Sequence, residues 1–217
     1  GGMGPESTAL FYKYIIREFQ NAHGSFKDDE FPEMIIHNLP IPDMTGGSIN
    51  QGIIKKQLKS SVRIMENAGA RFIVYPCNTL DSFSDYLRSI SKVPIISIVE
   101  ETAKYINSQK APDAVLLATK ATINNGLFHK HAKTFKILTP ISQIKVSKLI
   151  EDSLKGKIQA KALQNLIKKE KKRAKKVVLG CTDLSVLAEN IVDYSIIDSL
   201  RILAKKTVEL SLEDSKF

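Results

Sequence analysis

The sequence predicts an α/β fold built on parallel sheet, and three observations carry that reading. Short runs rich in Val, Ile and Leu alternate with longer stretches of helical periodicity, the signature of strand–helix units. The connections between them are mostly short, as this class requires. At 43% hydrophobic and 25% charged residues, the 217-residue chain has the composition of an ordinary globular protein, which excludes a disordered or fibrous reading. Its length corresponds to between one and two compact domains.

The elements follow in order. A helix is expected over residues 5–20, opening at Pro5 behind a small-residue turn. A strand is read at 34–39, then a Pro- and Gly-rich loop over 40–48 of a kind that covers a site. Residues 49–68 read as helix, and 71–76 and 94–99 as strands. The second half reads as strand 114–119, helix 124–132, strand 135–138, helix 158–173, strand 176–180, helix 183–191, strand 195–198 and helix 200–212. A Gly-rich turn before a helix normally follows a strand in such folds, yet this turn begins at Gly1. The expectation is either that residues were lost ahead of Gly1 or that the first domain lacks its opening strand and has an exposed gap.

The two halves echo one another. The run Gly2-Met3-Gly4-Pro5-Glu6-Ser7-Thr8-Ala9-Leu10-Phe11 has a counterpart in Ala118-Thr119-Lys120-Ala121-Thr122-Ile123-Asn124-Asn125-Gly126-Leu127-Phe128, a small-residue turn opening a helix. Each half also carries an apolar strand that ends in a Cys and opens a helix, Tyr75-Pro76-Cys77-Asn78-Thr79 and Leu179-Gly180-Cys181-Thr182-Asp183. The division read from this is a first α/β domain over 1–97 and a second over 98–199, with the helix from 200 to 217 packing back on the first. Two such domains facing each other bring both cysteines to one cleft.

Charge and composition narrow the partners. The formal charge of +9 is concentrated at residues 168–176, KKEKKRAKK, the end of an expected helix. With no aromatic interleaving and no nucleic-acid motif, a solvated helix end is the reading, and no nucleic-acid partner is expected. No apolar run approaches the roughly 20 residues of a membrane span, and the first residues show no basic-then-apolar targeting pattern, so a cytoplasmic location is expected. Two cysteines without His or Cys at ligand spacing make neither a zinc site nor, in that compartment, a structural disulfide. His23, His37, His129 and His131 show no ligand or triad spacing.

A cysteine at the C-terminal end of a strand, just ahead of a helix, lies where backbone N–H groups favour the thiolate. Two thiols facing a carbon acid from opposite sides suit one reaction: one thiolate removes a proton while the other thiol delivers one to the opposite face, inverting the centre. The developing carbanion needs a carboxylate held by hydrogen-bond donors. Taken singly, each Cys reads better as a buried inert residue; two in matching contexts reverse that reading.

Gly1-Gly2-Met3-Gly4-Pro5-Glu6-Ser7-Thr8, Pro76-Cys77-Asn78-Thr79, Leu117-Ala118-Thr119-Lys120-Ala121-Thr122-Ile123 and Gly180-Cys181-Thr182-Asp183-Leu184, in that order, resemble the motifs of the aspartate/glutamate racemase family. The resemblance implies two similar parallel-sheet domains related by a pseudo-twofold axis, an active site between them, and a homodimer. It implies no pyridoxal phosphate, metal or nucleotide. It makes Cys77 and Cys181 the paired acid and base, and puts Asn78, Thr79, Thr122 and Thr182 at positions that bind the substrate's α-carboxylate and amino group. Thr119 and the Met3-Gly4 turn line the same pocket. The substrate implied is a small-molecule amino acid, aspartate or glutamate or a relative.

Some positions depart from the family pattern. Asp81 stands where many aspartate racemases have His, and Asp183 where Glu is usual. Met44 stands where an Arg for the distal carboxylate is often found, and a thioether cannot form the bidentate pair that Arg makes. Lys155 aligns with a lysine that can assist that carboxylate, and reads equally as an exposed surface lysine. Two other readings stay open: a sister enzyme of hydantoin racemase, maleate isomerase or malonate decarboxylase type using the cysteines unequally, and a catalytically inactive carboxylate-binding protein.

Overall fold

The computed structural model describes residues 1, 3–42, 44, 50–109 and 112–213. Gly2, most of the loop expected to cover the site, and the last four residues of the C-terminal segment lie outside the described residues.

The chain runs α1 (Pro5–His23), α2 (Gln51–Asn67), β1 (Ile73–Val74), α3 (Ser84–Ile90), β2 (Ile95–Ile96), α4 (Ile98–Ser108), β3 (Asp113–Leu117), α5 (Lys120–Asn124), β4 (Lys136–Leu138), α6 (Gln143–Leu154), α7 (Ala160–Glu170), β5 (Lys176–Leu179), α8 (Thr182–Leu187), β6 (Ile196–Asp198) and α9 (Ser199–Glu213). Among the described residues β1 and β2 form a two-stranded parallel sheet, and the others a four-stranded parallel sheet in the order β4-β3-β5-β6.

Alternation of side chains across the larger sheet explains its two apolar faces. Ala114, Leu116 and Val178 point into a cluster with Leu10, Phe11 and Phe19 of α1, Ile98 and Ile106 of α4, and Leu200 and Leu203 of α9. Their neighbours Val115, Leu117, Val177 and Leu179 join Val146 and Ile150 of α6, Leu163 and Ile167 of α7, and Leu184 of α8. At about 1.5–3 kcal/mol per fully buried aliphatic side chain, these two clusters are the main source of stability on either face. A third cluster places Ile54, Leu58 and Val62 of α2 with Tyr75, Leu80, Phe83, Ile95 and Met44 beneath the smaller sheet. Helix α9 packs on α1 and α4.

The chain passes from β3 outward to β4 and then returns across β3 to β5. The direction of winding therefore reverses between β3 and β5. In open α/β sheets the crevice at the carboxyl ends of such a pair is where ligands bind. The turns leaving β3 and β5 carry Thr119 and Cys181.

Three expectations need correction. Residues 34–39 are extended but join neither sheet; their backbone meets Gly1 instead, with Leu39 N–H donating to the Gly1 carbonyl at 2.9 Å and the Gly1 amino group to the His37 carbonyl at 3.1 Å. A cavity of about 440 Å³ is lined by Met34, Ile36 and Leu39 of this segment and by Phe72 and Val74. The strand read at 94–99 ends early, because Ser97 caps α4 by accepting the Glu100 N–H at 3.0 Å. The helix read at 124–132 is instead α5, which stops at Asn124; Gly126 behind it has φ of +60°, a left-handed conformation that ends a helix.

Candidate active site

Cys77 follows β1 across Tyr75 and Pro76 and is partly buried. The next residues form a 3₁₀ turn, 79–83, whose first N–H groups, of Thr79 and Leu80, favour the Cys77 thiolate. Burial outweighs them and, with a contribution from the Asp183 charge, pushes the thiol up to about 11.

Cys181 is reached through Gly180, where a Cβ would lie 2.5 Å from Leu116 Cδ1 and 3.2 Å from Ala118 Cβ. Glycine fits this close approach without displacing either side chain, and Cys181 follows at the N-cap position of α8. Cys181 is buried, and its Sγ donates to Asp183 Oδ2 at 3.5 Å. Burial first and the Asp183 charge second hold this thiol well above the ordinary range, with a smaller contribution from Cys77. The Asp183 carboxyl is itself raised by burial. Its Oδ1 lies 3.4 Å from where a Gly4 Cβ would stand, so the Met3-Gly4 turn and the Cys181 turn are in contact.

Three hydroxyls tie the segment after Cys77 to the turn after β3. Thr79 Oγ1 is 3.0 Å from Thr119 Oγ1 and 3.1 Å from Thr122 Oγ1, and Thr119 and Thr122 are 3.0 Å apart. Thr119 Oγ1 also accepts the Thr122 N–H at 3.1 Å, which opens α5. All three residues are buried. Each hydroxyl has one proton and two lone pairs, so the triangle can turn a donor toward an incoming anion at little cost.

Asn78 lies beside them, 2% exposed. Its Nδ2 donates to Ser199 Oγ at 3.1 Å, and Ser199 donates in turn to the Leu179 carbonyl at 2.8 Å, which fixes the amide against the end of β5. Asn78 Oδ1 has no hydrogen-bond partner among the described residues. A buried acceptor of this kind costs free energy until a donor reaches it.

The site residues expected from the sequence are therefore placed as follows. Thr79, Thr119 and Thr122 meet directly; Gly4 and Cys181 meet through Asp183; Thr182 is buried directly after Cys181; Met3 and Cys77 pack against the cluster that holds Met44. Lys155 is exposed, with Nζ on Glu151 Oε1 of its own helical turn, a pairing that holds the ammonium above its usual range. Its neighbour Leu154 is the residue of that turn that reaches Gly4, at 3.5 Å from the Cβ position.

Three further residues hold the site together, of which the sequence marks Asp81 and Asp183 only as departures from the family pattern. Asp81 accepts from the Tyr75 hydroxyl at 2.8 Å and from Ser97 Oγ, tying the turn after Cys77 to the ends of both strands of the smaller sheet. Burial raises its carboxyl, against the two hydrogen bonds that lower it. Ser199 is the second, and its signal was the small polar residue just beyond a strand. Asp183 is the third, hydrogen-bonded to Cys181 and in contact with the Met3-Gly4 turn. Among the described residues no group of His, Cys, Asp and Glu is arranged to hold a metal ion, and no helix is long and apolar enough to cross a membrane.

Known proteins match this chain over nearly its whole length. The family profile described as Asp/Glu/Hydantoin racemase covers residues 1–207. The broad specificity amino-acid racemase of Bacillus subtilis (strain 168) is 32% identical, over 97% of this chain and 96% of its own. The crystal structure of an aspartate racemase homologue from Pyrococcus horikoshii OT3 superposes with a TM-score of 0.79 at 26% identity, covering 98% of this chain and 96% of that one. The Picrophilus torridus aspartate racemase has the same fold, with a TM-score of 0.81 at 20% identity over 96% and 92% of the two chains.

Proposed function

The chain belongs to the Asp/Glu/hydantoin racemase family, and we propose that it inverts the α-carbon of an amino acid by two-thiol proton transfer between Cys77 and Cys181. The observation that carries this reading is that the turn after Cys77 is bonded through Thr79 to Thr119 and Thr122 after β3, and through Asn78 and Ser199 to the end of β5, the strand that leads to Cys181.

In the resting site both thiols hold their protons. A zwitterionic substrate brings an ammonium, which the Asn78 Oδ1 acceptor and the Asp183 carboxylate receive, and a carboxylate, which Thr79, Thr119, Thr122 and Thr182 receive. The positive charge favours thiolate, and Cys181 gives its proton to Asp183, its S–H bond breaking as an O–H bond forms. That thiolate takes the α-proton: the C–H bond breaks, an S–H bond forms, and the electron pair spreads onto the carboxylate held by the hydroxyls. The opposite thiol then gives its proton to the other face, its S–H bond breaking as the new C–H bond forms. The reverse reaction uses the cysteines in exchanged roles.

No cofactor enters this reaction. Residues 1–97 and 98–199 act in it as two lobes related by a pseudo-twofold axis, with α9 returning to the first and the site between them. The reading carries a cytoplasmic homodimer with it.

The test is interconversion followed by chiral chromatography in Cys77→Ala and Cys181→Ala. A general acid or base contributes about 10²- to 10⁴-fold, so loss on that scale is expected at either position alone. A variant that keeps full activity removes its cysteine from the mechanism. Unequal loss, with one replacement tolerated, turns the reading toward the sister enzymes.

A further inference from the structure

The reading above leaves the substrate's side chain open, and the inference drawn here rests on it. We infer that the site takes an amino acid with an uncharged, apolar side chain, seated against Met3 and Met44, and disfavours one with a second carboxylate.

The reasoning starts from the groups that face the reacting carbon. Asp183 supplies an acidic group there already, and Asp81 lies buried behind the Cys77 turn. Lys155, the cation that the sequence offers for a distal carboxylate, is 57% exposed and engaged by Glu151. The amino group of Gly1 is turned to the His37 carbonyl at 3.1 Å. The α-carboxylate is accommodated by neutral hydroxyls, which suffice for one anion that sits among several donors. Among the described residues the cluster that holds Met44, with Met3 and Cys77 packed against it, is apolar and offers a distal carboxylate no such set.

The wall beside Cys77 is apolar instead. Met44 is only 6% exposed and belongs to the cluster formed by Leu39, Ile54 and Tyr75, against which Met3 and Cys77 pack. Methionine is unbranched and polarisable, and it adapts to aliphatic groups of varied shape. An unpaired carboxylate placed on that surface, near a carboxyl the site already holds, meets both a desolvation cost and repulsion. An aliphatic or thioether side chain gains by burial on the same surface.

The experiment uses the full chain in deuterium oxide with the L-forms of methionine, leucine, aspartate, glutamate and lysine at equal concentration, reading α-deuteration by proton NMR. Methionine or leucine is expected to exchange on the order of 10²-fold faster than aspartate or glutamate, the scale set by leaving a polar group unpaired. Aspartate, glutamate or lysine exchanging as fast or faster overturns the inference while leaving the two-thiol reading intact, provided the exchange is lost in Cys77→Ala. No exchange with any of the five defeats the racemase reading and the inference with it. In Met44→Arg, checked for folding by circular dichroism, the ratio of aspartate to methionine exchange should rise about tenfold or more. A folded variant with an unchanged ratio removes Met44 from the side-chain site; should the variant not fold, the panel on the unaltered chain decides.

Discussion

Replacing Asp183 by Asn probes the electrostatics of the thiol pair in one step. The carboxyl is 3.5 Å from Cys181 Sγ, and its charge raises the proton affinity of both cysteines. Burial is the larger cause at each thiol and survives the exchange, so both should become more acidic without reaching the acidity of free cysteine. With Cys77 at about 11, roughly one molecule in a thousand carries its thiolate near pH 8, and each unit of downward shift multiplies that fraction about tenfold. Alkylation by iodoacetamide, read at the Cys77 peptide by mass spectrometry, follows the thiolate fraction. In the unaltered protein the rate should climb about tenfold per pH unit between about pH 7 and pH 10; in Asp183→Asn it should be faster across that window while racemisation slows. The stability effect has the opposite sense. The Asp183 carboxyl is raised in the fold, so its protonated form stabilises the protein below the ordinary carboxyl range, and that contribution is lost as pH rises through the raised value. At neutral pH the Asn variant should therefore resist urea better, by about 1.4 kcal/mol for each unit by which burial raises the acid, and the advantage should shrink near pH 4. A pH-independent alkylation rate in the unaltered protein, or slower alkylation in the variant, would refute the electrostatic argument.

Other perturbations follow from single contacts. Gly180→Ala drives a methyl to 2.5 Å from Leu116 Cδ1 and 3.2 Å from Ala118 Cβ; it should cost about 1–3 kcal/mol in thermal or urea unfolding and lower activity by displacing Cys181. Thr122→Val removes two hydroxyl contacts of 3.0 and 3.1 Å, worth about 0.5–1.5 kcal/mol each, and should raise KM more than it lowers kcat. Ser199→Ala unpairs the Asn78 amide and the Leu179 carbonyl; a loss of about 1–3 kcal/mol in urea unfolding is expected, with weaker substrate binding.

How far the sequence could be read depended on the range of the interactions involved. Strands 114–119 and 176–180 were legible because their side chains are apolar on both faces, and the structure buries Val115, Leu116, Val177 and Val178 accordingly. Residues 34–39 have the same composition but no neighbour to complete a ladder, and pairing is not a local property. Helices α4 and α6 are absent from the sequence pattern, α4 because the strand expected at 94–99 runs into it at Ser97. In the site, the cysteines and threonines were visible as residues that follow strands. Asp81 is visible only as a departure from the family pattern, since its role depends on Tyr75 and Ser97 reaching it from the ends of different strands. Met44 was legible as a departure, but its burial with Leu39 and Ile54 is a tertiary fact.

The most direct measurement of the two-thiol claim is the isotope content of both enantiomers early in a reaction run in deuterium oxide. Separate acids on opposite faces place solvent deuterium in the inverted product and leave recovered starting material with its original hydrogen, whichever enantiomer is supplied. Deuterium entering starting material and product at equal rates from the outset would mean that one group serves both faces, and the pairing of Cys77 with Cys181 would be contradicted.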